Sequence, residues 1–299
     1  MSRNSLAYKI RYGLYRFKFN HNFLTHLDIE LNNTCNHKCI MCWHSGELNF
    51  DLKVMKVDQA FDILKAGRKL GMKSVKLNLR GEPTLYKHLP VVIREAKRLD
   101  YIDTMINTHG VFLRDRYQEI KEAGIDTIIV SIGSTDRDAY AKVHQVPVTD
   151  FDKLHEGLRL IHDDNSGILV KLNCHFSIVS NFDFDLLKAE YPRFVVVKRF
   201  IEEREGTNIS IKREKVRKKK CPHMHRRLTV QSNGDVYPCC MSFNSPKDIR
   251  CGNFFADGGF GNSNNNRKIL IDRYSKKDFP DSCKACPSGD VYKFGKVEI

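Results

Sequence analysis

From Leu27 onward, short apolar runs alternate with segments of helical spacing, and no other feature limits the fold so strongly. Residues 27–31 read as a strand and 57–70 as a helix, with Asp58 near its start and Gly71 after its end. Residues 74–79 alternate as a strand does. The pattern continues with helices at 88–99 and 112–123 and strands at 101–107 and 125–132, the last with the composition of a fully buried strand. Helices at 136–143, 151–162 and 184–189 and strands at 168–178 and 194–200 complete it. Strands that alternate with helices imply a parallel sheet. Six such units predict an α/β fold, a partial (β/α)6 TIM-like barrel over 27–211, preceded by an arm at 1–26. Barrel chemistry sits at the C-terminal ends of strands, so the strand ends are where functional residues are expected.

The first strand end carries Cys35-Asn36-His37-Lys38-Cys39-Ile40-Met41-Cys42. Three thiolates from one loop are soft ligands suited to an iron–sulfur cluster or zinc. Three protein ligands leave an open position that substrate or cofactor can fill. A zinc site completed by His37 or His44 fits the same spacing. Ten cysteines in 299 residues, clustered at short spacings, do not look like a disulfide framework and point to metal sites in a reducing cytoplasm. A second set follows the charge run at 212–220, which reads as the end of the barrel. Cys221 precedes an apolar run at 228–230, then Asn233-Gly234, a strong hairpin signal, then Cys239-Cys240, and finally Cys283 and Cys286. A small cysteine-rich domain with a β-hairpin is therefore expected over 212–299, with a helix at 265–274. Four ligands fit it, Cys221, Cys239, Cys283 and Cys286. Cys240 and Cys251 are left over, either able to replace one of the four, and Cys174 reads as core. A zinc site, of four cysteines or using His223 or His225, is the competing reading.

With 41% hydrophobic residues the chain has ample material for a core, and its formal net charge is +14. A basic field favours anionic partners such as nucleic acid, phosphorylated metabolites or acidic membrane surfaces. No run of eighteen apolar residues is present, so no membrane span is expected. The N-terminal arm interleaves Arg3, Lys9, Arg11, Arg16 and Lys18 with aromatic and aliphatic residues. It lacks the uninterrupted apolar region and small-residue cleavage site of a secretory signal.

The spacing C-x3-C-x2-C after a first strand resembles the signature of radical S-adenosylmethionine (SAM) enzymes, with Met41 at the family's apolar position. In that family three cysteines hold a [4Fe–4S] cluster whose fourth iron chelates SAM, and reduction yields a 5′-deoxyadenosyl radical that removes a substrate hydrogen atom. The later strand ends carry further likenesses. Gly81-Glu82-Pro83 resembles the end of the family's Gly-Gly-Glu element, with Arg80 in place of the first glycine; the resemblance implies that Gly81 and Glu82 hold the SAM amino group. Asn107-Thr108, in Asn107-Thr108-His109-Gly110, is similar to the family's Thr-Asn-Gly turn and is expected at the SAM ribose or carboxylate, as is Ser131 of Ser131-Ile132-Gly133. The C-terminal cysteines, with Gly234 before Cys239 and Gly252-Asn253 after it, resemble the auxiliary-cluster domains of SPASM and twitch radical SAM enzymes. That implies two [4Fe–4S] clusters and SAM as cofactors.

The expected activity is reductive SAM cleavage with redox modification or isomerisation of an anionic substrate, a nucleotide or a base within DNA or RNA, assisted by the auxiliary cluster. A small sugar or aminocyclitol metabolite is the alternative, followed by peptide maturation and by a non-enzymatic metal-bound nucleic-acid-binding module. The resemblance also implies an external electron donor such as flavodoxin or ferredoxin, and a cytoplasmic monomer is expected. No general acid or base stands out; His109, Tyr140, His144 and Arg80 lie on strand-end loops without an assigned role.

Overall fold

The computed structural model describes residues 24–42, 44, 51–176, 180–200, 221–284 and 286. The basic arm before residue 24 and the charge run at 212–220 lie outside them. The sheet is built from β1 (His26–Ile29), β2 (Ser74–Lys76), β3 (Asp103–Thr108), β4 (Thr127–Ile132), β5 (Leu169–Phe176) and β6 (Val195–Phe200). They pair in parallel and in chain order, as the alternation predicts. The intervening helices are α1 (Val57–Lys69), α2 (Leu89–Arg98), α3 (Leu113–Glu122), α4 (Arg137–His144), α5 (Thr149–Asp164) and α6 (Phe184–Glu190). Asp136 and Asp183 cap α4 and α6 by accepting from the third amide of each turn.

On the other side of β1 the sheet continues. Strand β7 (Arg227–Val230) pairs parallel with β1, then turns through the expected hairpin into β8 (Asp235–Tyr237), which pairs antiparallel with β9 (Gly252–Asn253). The C-terminal region therefore extends the barrel sheet. Three further helices are α7 (Pro222–Arg226), α8 (Gly261–Ser275) and α9 (Asp281–Lys284). No helix among the described residues is long and apolar enough to cross a membrane.

The two faces of the parallel sheet differ. Leu27, Ile29, Val75, Ile106, Ile128, Val130, Ile132, Val170 and Leu172 are fully buried in the core cluster that the helices complete. The alternate positions form the inner face: Asp28, Lys76, Asn107, Ser131, Lys171 and Asn173 are polar, and apart from Asp28 they are only half-buried. A period of two with one apolar side produces this division. Strand β4 was expected to be buried on both sides; instead Ile129 and Ser131 are half-buried on the inner face, because an open barrel leaves that face to polar residues and to ligands.

Two element boundaries depart from the sequence pattern by more than two residues. Strand β2 stops at Lys76, three residues early, and Asn78 Oδ1 takes the place of a ladder carbonyl by accepting from Asn107 N–H at 2.9 Å. Helix α8 starts at Gly261, four residues before the expected 265. Its first turns are rich in poor helix formers, but tertiary bonds hold them: Asn266 donates to Cys251 C=O, and the buried Arg267 guanidinium donates to Met224 and His225 C=O at the end of α7.

Candidate active site

The segment leaving β1 runs to the cysteine loop through a set of close backbone contacts. Asn32 donates from Nδ2 to Thr34 Oγ1 (2.9 Å) and to Glu82 C=O (3.2 Å), and Glu82 N–H donates to Thr34 C=O (2.8 Å). A Cβ at Gly81 would lie 2.6 Å from Asn32 O and 2.7 Å from Thr34 O, so only glycine lets the β2 end meet the lead-in to the cysteines. On its far side the loop rests on the C-terminus of α4. Lys38 N–H donates to His144 C=O and Ile40 N–H to Val143 C=O, which satisfies carbonyls that a helix end leaves open.

Cys35, Cys39 and Cys42 are each half-buried. Burial pushes the Cys35 thiol up to about 12, with the Glu82 and Cys42 charges adding and the His37 amide opposing. Burial, then the Cys42 and Cys35 charges, drive the Cys39 thiol well above its usual value. Two thiols held un-ionised in this way beside a third, Cys42, are a fitting donor set for a metal cluster, whose cation would offset their charge. Met41 is half-buried beside them in the loop.

Glu82 is 3% exposed, and its carboxylate is engaged with protein donors. Oε1 accepts from Thr84 N–H (3.0 Å), Thr84 Oγ1 (2.6 Å) and Thr108 Oγ1 (2.6 Å), and Oε2 accepts from His109 N–H (3.0 Å). Its side chain thus ties the ends of β2 and β3 together, a task the sequence did not reveal. Thr108 is buried with it. Asn107 and Ser131 sit above on the inner face, where Ser131 Oγ donates to Asn107 Oδ1 at 3.1 Å.

His37, within the cysteine loop, packs with two further histidines, His109 and His144. The His37 and His109 rings stack with centroids 3.8 Å apart, and His144 meets His37 edge-on. His109 Nε2 pairs with Asn36 Oδ1 at 2.9 Å, and His37 Nε2 lies 3.6 Å from Asp150 Oδ2. His144 Nδ1 lies 3.1 Å from Cys39 Sγ and 3.5 Å from His37 Nδ1. Burial holds the imidazole pKa of His37 near 2 and that of His144 near 3, so both are neutral. One ligand atom from each of His37, Cys39 and His144 falls within 4.8 Å of the others. Use of Cys39 in a cluster with Cys35 and Cys42 competes with that trio for the same thiolate.

Arg80, where the resemblance expects glycine, makes a buried two-pronged ion pair with Glu30 (2.6 and 2.7 Å) and donates to Phe243 C=O (3.2 Å). Ser232 also donates to Glu30 Oε1 (2.8 Å), and Gln231 Nε2 donates to Ser242 C=O (2.7 Å). The barrel strand ends are thereby tied to the loop that follows Cys239-Cys240. Glu30, Asn32 and Asn78 were missed from sequence, although Asp28, Glu30 and Asn32 alternate visibly with Leu27, Ile29 and Leu31.

At the second set, burial and then the charges of Cys240, Cys221 and Cys283 raise the Cys239 thiol well above its usual value, so those three thiols lie within electrostatic reach of Cys239. Cys221 stands immediately before α7, Cys283 lies in α9, and Cys286 N–H donates to Cys283 C=O at 3.4 Å. Cys251 is elsewhere. It is 1% exposed, its thiol donates to Ile249 C=O, and its charged neighbour is Arg267. Cys174 is fully buried in the core, as expected.

Comparisons with known proteins follow this division. The model of the radical SAM superfamily matches residues 29–178, and that of the SPASM iron–sulfur cluster-binding domain matches residues 221–287. A probable GTP 3′,8-cyclase of Saccharolobus solfataricus is 36% identical over 151 residues, which cover 50% of this chain and 47% of that protein. A probable GTP 3′,8-cyclase of Pyrococcus abyssi is 32% identical over 136 residues, covering 46% and 42%. The chain spans about half the length of the curated relatives it matches. Among solved structures, BtrN in complex with AdoMet and 2-DOIA aligns with a TM-score of 0.58 at 19% identity, covering 89% of this chain and 93% of that one. Streptococcus suis SuiB bound to S-adenosylmethionine aligns at 0.59 and 16%, covering 97% and 79%. These two likenesses are of fold.

Proposed function

The chain belongs to the radical SAM superfamily and carries a SPASM iron–sulfur domain, and from that premise we propose a site assignment and a substrate class. SAM and two iron–sulfur clusters are the cofactors of such a chain. Cys35, Cys39 and Cys42 hold the SAM-binding [4Fe–4S] cluster, and Cys221, Cys239, Cys283 and Cys286 the auxiliary one. When bound, the first cluster supplies the electron that cleaves SAM to methionine and the hydrogen-abstracting 5′-deoxyadenosyl radical.

The chain's own residues position and enclose. The Gly81–Glu82 backbone flanks the SAM amino group, and the Glu82 carboxylate keeps that turn and Thr108 in place. Asn107 and Ser131, joined on the inner face, meet the SAM ribose or carboxylate. Met41 packs beside SAM. The polar inner face orients substrate, and the precision of such positioning is what the protein adds to cofactor chemistry. With the cluster bound, an external one-electron donor such as flavodoxin or ferredoxin would have to supply its electron.

The substrate is a nucleotide. The observation that carries this reading is the similarity of half the chain to proteins named as probable GTP 3′,8-cyclases. The formal +14 charge supports an anionic ligand. A free nucleotide accounts for that similarity more directly than a base within nucleic acid does. The test is deuterium transfer into 5′-deoxyadenosine from ring- or ribose-labelled nucleoside triphosphates, with labelled oligonucleotides and an aminocyclitol as the other arms. Transfer from the aminocyclitol alone would overturn the nucleotide reading, and transfer from the oligonucleotide alone would move it to nucleic acid.

A further inference from the structure

His144 ends α4, and almost everything about its ring is fixed. It is 2% exposed. Tyr140 stacks on it with centroids 4.2 Å apart and an interplanar angle of 28°, and His37 meets it at 78°. A Cβ at Gly133 would lie 2.7 Å from His144 Nε2 and 2.9 Å from Cδ2, so the glycine at the end of β4 makes the slot the imidazole fills. The His144 carbonyl, with that of Val143, binds the amides of Lys38 and Ile40, the residues on either side of Cys39. Helix and loop are thus locked together by backbone bonds on both sides of one thiol. The ring places Nδ1 3.1 Å from Cys39 Sγ.

A cysteine that ligates a metal is a thiolate and has no proton to give. Across this contact the imidazole must then be the donor, which fixes the tautomer with hydrogen on Nδ1. An N–H dipole aimed at a cluster sulfur favours the more negatively charged, reduced state, and hydrogen bonds to the sulfurs are among the protein's means of setting cluster potential. We propose that His144 is a positioning residue that donates Nδ1–H to Cys39 Sγ and raises the reduction potential of the SAM-binding cluster. The inference rests on the assignment of Cys39 as a ligand of that cluster.

Two variants separate the bond from the packing. His144→Asn keeps an N–H donor at the place of Nδ1, whereas His144→Leu fills a similar volume without one. After anaerobic reconstitution of the full chain, potentiometric EPR titration reads the potential, and iron analysis reads occupancy. His144→Leu should lower the reduced-to-oxidised ratio of the first cluster at fixed potential about tenfold, equivalent to ~59 mV for a one-electron couple. His144→Asn should recover most of that loss. A His144→Leu protein with full iron and an unchanged potential would overturn the proposal. The unmutated protein gives a reading that does not depend on either variant folding. With 15N-labelled histidine and exchange into D2O, the reduced cluster, identified by its spectral response to SAM, should show one histidine nitrogen and one exchangeable proton coupled to it. Absence of both couplings would also overturn it. If Cys39→Ala retains the SAM-responsive cluster, the ligand assignment itself has failed, an outcome distinct from an intact cluster at an unchanged potential.

Discussion

Cys35, Cys39 and Cys42 stand on one continuous loop, whereas Cys221, Cys239, Cys240 and Cys283 come from three stretches brought together by the C-terminal fold. The first loop is held by its surroundings: strand ends at Asn32 and Glu82 on one side and the end of α4 on the other. The second set is held by the core, with Cys221 and Cys283 buried and Arg267 fastening the helix that follows Cys221. A loop site can be retuned by changing one neighbour, as a His144 variant is expected to do. A site assembled from distant segments depends on whether those segments dock at all. Arg80 belongs to both, because its guanidinium reaches from the Glu30 carboxylate beneath the first site to the loop after Cys240.

The largest effects should come from removing either proposed ligand set. Replacing Cys35, Cys39 and Cys42 by Ala should abolish SAM cleavage and leave about four of about eight irons. Replacing Cys283 or Cys286 should abolish product formation yet spare some uncoupled 5′-deoxyadenosine. Equal loss of both activities from Cys283→Ala would erase the distinction between the sites and make the second a folding element. Stoichiometric zinc without an iron chromophore would remove both clusters from the account.

Next in size is the link between the sites. Removing one partner of a buried ion pair costs about 3–5 kcal/mol, because the other charge is left uncompensated. Glu30 is fully buried and Arg80 nearly so. Denaturant unfolding of Arg80→Ala should therefore show a loss of that size, together with weaker retention of the auxiliary iron. A loss confined to stability, with both clusters retained under native conditions, would show that the sites are joined in fold but not in assembly.

Smaller again in its effect on the clusters is Glu82→Ala. It strands the Thr84 amide and hydroxyl, the Thr108 hydroxyl and the His109 amide, and each hydrogen bond to a charged group is worth about 1.5–3 kcal/mol. Both clusters should remain while SAM affinity falls, measured by equilibrium dialysis of the reconstituted protein. Unchanged affinity would mean that the β2 end does not approach SAM.

How much of this was legible follows from where each residue's partners lie along the chain. The parallel order of β1 to β6 could be read from periodicity, because each strand pairs with a neighbour in sequence. The first cysteine site could be read from spacing, because its three thiols share one loop. The task of Glu82 was hidden, since its donors stand on a different strand end. The Cys39–His144 contact spans more than a hundred residues, and nothing in the local pattern around His144 marks it. At the second site, sequence left Cys240 and Cys251 equally able to join. Only the packing separates them, since Cys251 turns into the core beside Arg267 while Cys240 stays next to Cys239.

That separation supports the smallest effect, and the one that sharpens the contrast most. Cys251→Ala removes one buried sulfur whose hydrogen bond to Ile249 C=O is weak, at 3.7 Å. The residue behaves as a small apolar side chain, so its removal should cost about 1 kcal/mol, near the low end for core truncations. Iron content, the auxiliary cluster's EPR signal and turnover should stay at the level of the unmutated protein. Cys239→Ala, by contrast, should lose about four irons. The pair of variants tests packing against ligation within one domain, because both thiols are pushed well up by burial, but only Cys239 has other thiols among the charges acting on it. If Cys251→Ala also lost about four irons, burial beside Arg267 would not be what separates a core thiol from a ligand here, and the C-terminal segment would have to rearrange around the auxiliary cluster.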